Sequence, residues 1–309
     1  MRDPPVANTQ FLVEPAARSR GRGVAVVRDF VTLTKPRITM LVMLTGAAGA
    51  CLAPGRVPTA RLLLSLVGTA LIVGAANALN MWWEREPDAL MTRTRNRPLP
   101  AGRMSPDVAL AFGLALGVLG TPLLFLVNLT TGLLGLIALV SYVAVYTPLK
   151  RHTYLALLVG AVPGAMPPLM GWTTATGSIG LGGALLFAFL FLWQVPHFAA
   201  ISIFRADDYA RAGLQVISVQ HGQSAARHMI GLWTGLVVAA SLLFVPLGFA
   251  GSWYLGVATL LGAGFLALAF RGARGGARLD VGRWAKLVFA YSIPYLSIVV
   301  VALLLDRTR

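Results

Sequence analysis

Residues 61–82 read RLLLSLVGTALIVGAANALNMW, and residues 83–106 continue WEREPDALMTRTRNRPLPAGRMSP. After Arg61 the first stretch carries no charged side chain, and as a helix rising about 1.5 Å per residue it crosses a hydrocarbon core of roughly 30 Å. The second stretch is dense in Arg, Glu and Asp. So abrupt a change, from side chains that suit lipid to side chains that demand water, marks a transmembrane helix arriving at a membrane face. That reading decides the class of the fold.

Apolar runs of the same kind recur at 37–54, 108–127, 130–147, 154–172, 181–201, 229–248, 252–270 and 285–305. With 61–82 they predict nine spans. Of the 309 residues, 57% are hydrophobic and 12% charged, too few charges for a wholly water-facing surface. Lipid requires each span to satisfy its own backbone hydrogen bonds, which helices do. Gly and Pro inside the runs, as in GAVPGAMPPLMGW (160–172), are tolerated where neighbouring helices re-satisfy the freed groups. The expected fold is an all-α membrane protein, a bundle of about nine transmembrane helices. Residues 1–29, polar and holding Arg18, Arg20, Arg22 and Arg28, read as a disordered basic N-terminal arm. Residues 30–309 form the transmembrane domain. The lone Cys51 excludes an intrachain disulfide.

A net charge of +15 raises the possibility of nucleic acid, yet the basic residues sit in short loops between spans, where topology signals sit. No nucleic-acid partner is expected; the lipid bilayer is. Basic loops at 83–107, 150–153, 202–228 and 271–284 alternate with uncharged ones near 128–130, 173–180 and 249–251. The positive-inside rule makes the basic set cytoplasmic, with the N-terminus cytoplasmic and the C-terminus outside a multi-pass protein of the cell membrane.

In residues 77–106 the side chains Asn77, Asn80, Glu84 and Asp88 fall at steps of three, four and four, one stripe of a helix that ends near Pro87. Oxygen ligands at a helix terminus suit a hard cation such as Mg²⁺, which bridges one or two carboxylates to substrate phosphates. Arg93, Arg95 and Arg97 follow, with guanidinium groups suited to phosphate. Together they outline a diphosphate site; the alternative is a wet loop whose charges pair with one another. Asparagines inside an apolar span weigh against that alternative. After 181–201, Asp207 and Asp208 stand among Arg205, Tyr209 and Arg211, a second acidic cluster that serves either a metal or a helix cap. Tyr146, Lys150 and Arg151 close the fourth span, to grip a diphosphate or to anchor the helix at the headgroups.

These stretches resemble the UbiA-type intramembrane prenyltransferases. The motif of Asn80, Glu84 and Asp88, then Arg93, Thr94 and RPLP (97–100), is similar to that family's first motif, with Glu84 where an Asp is usual. LTKPRIT (33–39), YTPLKRHT (146–153), GAMPPLMGW (164–172) and WQVPHFAAISIFRADDYARAG (193–213) follow in matching order and carry the likeness to the heme-farnesylating branch. The resemblance implies a central chamber opening to the cytoplasmic face. It also implies transfer of farnesyl from farnesyl diphosphate to a vinyl group of heme B, giving heme O, with Mg²⁺ as cofactor. Glu84, Asp88, Asp207 and Asp208 would hold the metal. Asn80, Lys150 and Arg151, with Glu84 and Asp88 themselves, would be catalytic, and Asn77, Arg93, Arg97, Tyr146, Arg205 and Tyr209 would bind substrate. His197, in QVPHF, would either contact heme or hydrogen-bond a neighbouring helix. Partners implied further on are a heme A synthase or a terminal oxidase assembly. A quinone or chlorophyll-type acceptor, or an ion-coupled transporter, are the rival functions.

Overall fold

The computed structural model describes residues 16–275 and 279–308. In chain order its helices are α1 (Ala16–Thr34), α2 (Pro36–Leu52), α3 (Thr59–Trp83), α4 (Arg85–Leu90), α5 (Pro106–Val127), α6 (Leu129–Val140), α7 (Thr147–Leu149), α8 (Ala156–Thr176), α9 (Gly180–Phe204), α10 (Ala206–Arg211), α11 (Ile217–Gln220), α12 (Gly222–Leu242), α13 (Ser252–Arg274) and α14 (Val281–Leu305). A π-helical turn, Ser141–Tyr146, joins α6 to α7. Among the described residues the only β-type pairing is an isolated bridge between Ala250 and Arg307.

Each expected span falls on a helix. Seven segments are long and apolar enough to cross a membrane: α3, α5, α6 with its continuation to Leu149, α9, α12, α13 and α14. This is a multi-pass membrane protein. Helix α2 is shorter, at 17 residues. Helix α8 contains Pro163, Pro167 and Pro168, yet stays helical because its Met166–Thr174 stretch is buried among other helices. Large apolar side chains point outward instead of in: Leu126, Val118 and Leu260 are each at least 70% exposed, as a lipid-facing surface requires.

Two expectations are corrected. The seventh span starts at Gly222, not near 229, because QSAARHM (223–229) continues the helical period of the apolar residues after it. The basic arm is not irregular up to residue 29: α1 begins at Ala16. Its C-terminal half is docked, with Leu33 fully buried, Phe30 packed edge-on against Phe112 at 4.9 Å, and Asp29 accepting from Arg103 at 3.0 Å. Residues 1–15 lie outside the described residues.

The long helices pack in chain order, α2 on α3, α3 on α5, α5 on α6, α6 on α8, α8 on α9, α9 on α12, α12 on α13 and α13 on α14, and α14 returns to α2. The crossing of α2 over α8 is the closest. A Cβ on Gly171 would stand 1.8 Å from the Gly46 carbonyl oxygen, and one on Gly49 2.0 Å from that of Pro168. Small residues let membrane helices meet at the backbone. All four basic loops share one end of the bundle, tied by Gln215 N–H to the Lys150 carbonyl (2.8 Å), Tyr154 N–H to Gln220 (3.0 Å) and Arg227 to the Gly272 carbonyl (2.7 Å).

Candidate active site

Helix α3 delivers its carboxylate stripe to that end and breaks at Glu84 (φ −93°, ψ 11°), where α4 starts. The expected end at Pro87 is therefore displaced by one turn. Proline lacks the N–H that would bond the carbonyl four residues back, and its ring crowds that carbonyl, so the kink sits at Trp83–Glu84. The freed backbone is partly repaired by Arg85 donating to the Trp82 carbonyl at 2.8 Å. Asp88 then lies inside the short helix α4, nearly fully buried at 1% exposure.

Around this corner the groups interlock. Asn80 Nδ2 donates to Glu84 Oε2 (2.9 Å) and Thr147 Oγ1 (3.2 Å). Lys150 Nζ stands 2.5 Å from Glu84 Oε1 and 4.7 Å above the Tyr146 ring. Arg97 donates to Asp88 Oδ2 at 2.6 Å. Asn77 donates to the Thr34 carbonyl (3.3 Å), and Lys35 Nζ lies 3.5 Å from Asn80 Oδ1. Thr94 Oγ1 donates to the Asp88 carbonyl at 2.8 Å. Lys150 faces Glu84 Oε1 as an ion pair, outside hydrogen-bond angles; Asp88 Oδ1 is buried with no hydrogen-bond partner. Burial, followed by the charges of Arg97 and Lys150, pulls the Lys35 ammonium down from the usual lysine range to about 7.

The second acidic cluster meets the first across the loop after α4. Helix α9 breaks at Arg205 (φ −119°, ψ 16°) and α10 follows. Buried Asp208 is paired with Arg211, lies 3.7 Å from Arg205, and accepts from Thr92 N–H at 3.4 Å. Met91 packs with Tyr209, Ala212 and Leu214. Asp207 is exposed and joins none of the described ion pairs, so the adjacent aspartates have different surroundings. Arg93 and Arg151 are also exposed and unpaired among the described ion pairs. Among the described residues no three His, Cys, Asp or Glu side chains stand close enough together to hold a metal ion, so the four-carboxylate set is not preassembled. The oxygen donors that are present, with a buried unpartnered Asp88 oxygen, fit a Mg²⁺ that takes one or two carboxylates and fills its shell with water and phosphate.

His197 is placed elsewhere, inside α9. Its ring stacks on Trp193 at 4.6 Å and lies 4.7 Å from Phe289, with Nδ1 2.7 Å from Ser292 Oγ on α14. The Ser292 hydroxyl donates to the Phe289 carbonyl at 2.7 Å, so its oxygen accepts from Nδ1–H and Nε2 carries the lone pair. The helix–helix hydrogen bond is thus observed. Sequence reasoning missed Lys35, Thr92 and Thr147. Lys35 had a signal, a cation beside proline at the mouth of an apolar span; the threonines had none.

The family model of the UbiA prenyltransferases matches residues 42–293. The chain is 52% identical over 291 residues to the protoheme IX farnesyltransferase of Anaeromyxobacter sp. (strain Fw109-5), covering 94% of this chain and 97% of that one. To the protoheme IX farnesyltransferase of Myxococcus xanthus it is 49% identical, covering 91% and 95%. Its fold is similar to the solved structure of a UbiA homolog from Archaeoglobus fulgidus bound to DMAPP and Mg²⁺, with a TM-score of 0.69, 17% identity and coverage of 87% and 99%. The chain belongs to the UbiA prenyltransferase family.

Proposed function

We propose that this chain transfers the farnesyl group of farnesyl diphosphate to a vinyl group of heme B, giving heme O and diphosphate. The observation that carries the reading is the buried corner of Glu84 and Asp88, enclosed by Lys150, Arg97 and Asn80 at the end of a membrane bundle. A wet loop would leave these groups in solvent. The names of the relatives above supply the acceptor and the prenyl length, and disfavour a quinone or chlorophyll-type acceptor.

In this reading the C1–oxygen bond of farnesyl breaks, its electron pair leaves with the diphosphate, and a vinyl carbon of heme B bonds to C1. Water then adds its hydroxyl to the resulting cation, and its proton passes to the departing diphosphate. Lys150 and Arg97 face the charge that develops on the leaving group, and preorganised charge of this kind is commonly the largest catalytic term. Arg93, Arg151 and Arg205, exposed at the rim, meet the anion first. Tyr146 and Tyr209 line the same end. Bound here, Mg²⁺ would add Lewis-acid charge to the diphosphate; Glu84, Asp88 and Asp208 are the residues that would hold it. The A. fulgidus homolog, solved with Mg²⁺, supports a divalent metal in this fold. The bundle would enclose a chamber that excludes water until the C–C bond has formed. His197, with Nε2 free to accept or ligate, would orient the porphyrin from the α9–α14 side.

The basic loops would face the cytoplasm across the cell membrane, and heme O would pass to a heme A synthase or a terminal oxidase. With Cys51 replaced, Ser105→Cys and Ser224→Cys should resist an impermeant thiol probe added to intact cells; labelling from outside would reverse the orientation. The function itself is tested by expressing the chain in membranes with heme B, farnesyl diphosphate and Mg²⁺. The expected product is a heme heavier by one hydroxyfarnesyl unit. Prenylation of a quinone precursor in place of heme would move the chain to the rival acceptor.

A further inference from the structure

Lys35 is the one described non-glycine residue with positive φ (φ 49°, ψ 65°). It forms the whole joint between α1 and α2. Pro36 at the start of α2 bars the residue before it from the right-handed helical region. A lysine gains nothing from the left-handed region that glycine or asparagine would not provide at less strain. Strain of this kind persists where the surroundings over-determine it, and it gathers at functional sites.

The joint is held by the two asparagines of the site. Asn77 donates to the carbonyl of Thr34, and the Lys35 ammonium reaches Asn80 Oδ1. Lys150, Arg97 and Arg211 each have a carboxylate partner; Lys35 joins none of the described ion pairs. The protonated Lys35 head has donors only, so in that form it calls for an acceptor opposite it. Asn80 therefore turns its oxygen to Lys35 and its nitrogen to Glu84 Oε2 and Thr147 Oγ1. With the amide flipped, an oxygen would face the Glu84 carboxylate and an NH₂ group would face the ammonium. Both contacts would become repulsive.

We propose that Lys35 is a positioning residue of the acidic corner: from the α1–α2 joint it fixes the Asn80 amide, which in turn holds the Glu84 carboxylate. The strained backbone is what lets a side chain at a helix start reach back to the last turn of α3. The proposal rests on the assignment of Glu84 and Asp88 to the diphosphate site, and Lys35 acts through Asn80 without touching the reacting atoms.

The test compares Lys35→Gly, Lys35→Asn, Lys35→Arg, Asn80→Ala and the double variant Lys35→Gly/Asn80→Ala in detergent, measuring thermal midpoint, kcat, and KM for both substrates. Glycine and asparagine both accept the left-handed backbone, and asparagine is too short to reach Asn80. Each should keep or raise the thermal midpoint while kcat falls about tenfold to a hundredfold and KM for heme B stays put. Lys35→Arg, which keeps a donor-only head, should stay within about threefold of the parent. In the Asn80→Ala background, Lys35→Gly should cost less than about twofold more, because residues acting through one another are not additive. Parent-like kcat in both Lys35→Gly and Lys35→Asn overturns the proposal. So does a loss that multiplies fully onto that of Asn80→Ala, or one that only tracks a fallen thermal midpoint. A parent protein that prenylates no heme would instead sink the functional reading, independently of how the Lys35 variants rank.

Discussion

The corner after α3 and the corner after α9 are built alike and charged differently. Each follows a helix of 25 residues, breaks at one residue with φ near −100°, and continues into a helix of six residues. The first breaks at an acid, Glu84, whose carboxylate and that of Asp88 are buried behind asparagine, threonine and lysine. The second breaks at a base, Arg205; of its two aspartates Asp207 is exposed, and Asp208 is buried but clasped by the exposed Arg211 and Arg205. Similar backbone thus carries two buried carboxylates, one with an unpartnered oxygen, in one place and a single buried carboxylate clasped by exposed arginines in the other. In the proposed reading the acidic motif alone does not make the site; two carboxylates buried together at one corner do.

The comparison breaks first at Asp88. Asp88→Ala leaves Arg97 without its carboxylate and removes the unpartnered oxygen, so transfer should fall about a thousandfold or more while the protein remains inserted. Heme O formation at the parent rate, read by mass, would reduce the first corner to a wet loop. Lys150→Met should follow, at about a hundredfold, because it leaves Glu84 buried and unpaired; a diphosphate KM that rises with little change in KM for heme B identifies the lysine's target. Asp208→Asn sharpens the contrast. It removes the charge that pairs with Arg211 while an amide oxygen can still accept from Thr92 N–H, so about a tenfold loss is expected, together with a higher Mg²⁺ requirement.

The smallest effect expected at a buried group is at His197. His197→Ala removes a hydrogen bond worth roughly 0.6 kcal/mol in a membrane bundle, together with its ring contacts, and so lowers the thermal midpoint. If Nε2 also faces the porphyrin, KM for heme B rises several-fold while KM for farnesyl diphosphate is unchanged. Equal changes for both substrates would confine His197 to holding α9 on α14.

Much of this was legible from residue order. The apolar runs located the helices because lipid leaves no other way to satisfy a backbone, and charge placed Glu84, Asp88, Lys150 and Arg97 at one end. Periodicity could not show that Pro87 breaks the helix a turn earlier, since that effect acts on the carbonyl of residue 83. Nor could it show that Asp207 and Asp208 separate by exposure, which depends on what α10 packs against. Thr147 was hidden, and the signal at Lys35 showed a cation but not its target, because their contacts to Asn80 span 67 and 45 residues of chain. The helix from Ala16 was hidden by its arginines, which composition alone assigns to solvent.

We attribute catalysis to the corner after α3 and not to acidity at the membrane face as such. It is tested most directly by measuring heme farnesylation by Asp88→Asn and Asp207→Asn side by side, in one membrane preparation over a Mg²⁺ titration. Asp88→Asn should be slower than the parent by about a thousandfold at every Mg²⁺ concentration, and Asp207→Asn should stay within about threefold. Equal losses in the two variants, or a larger loss at Asp207, would contradict it.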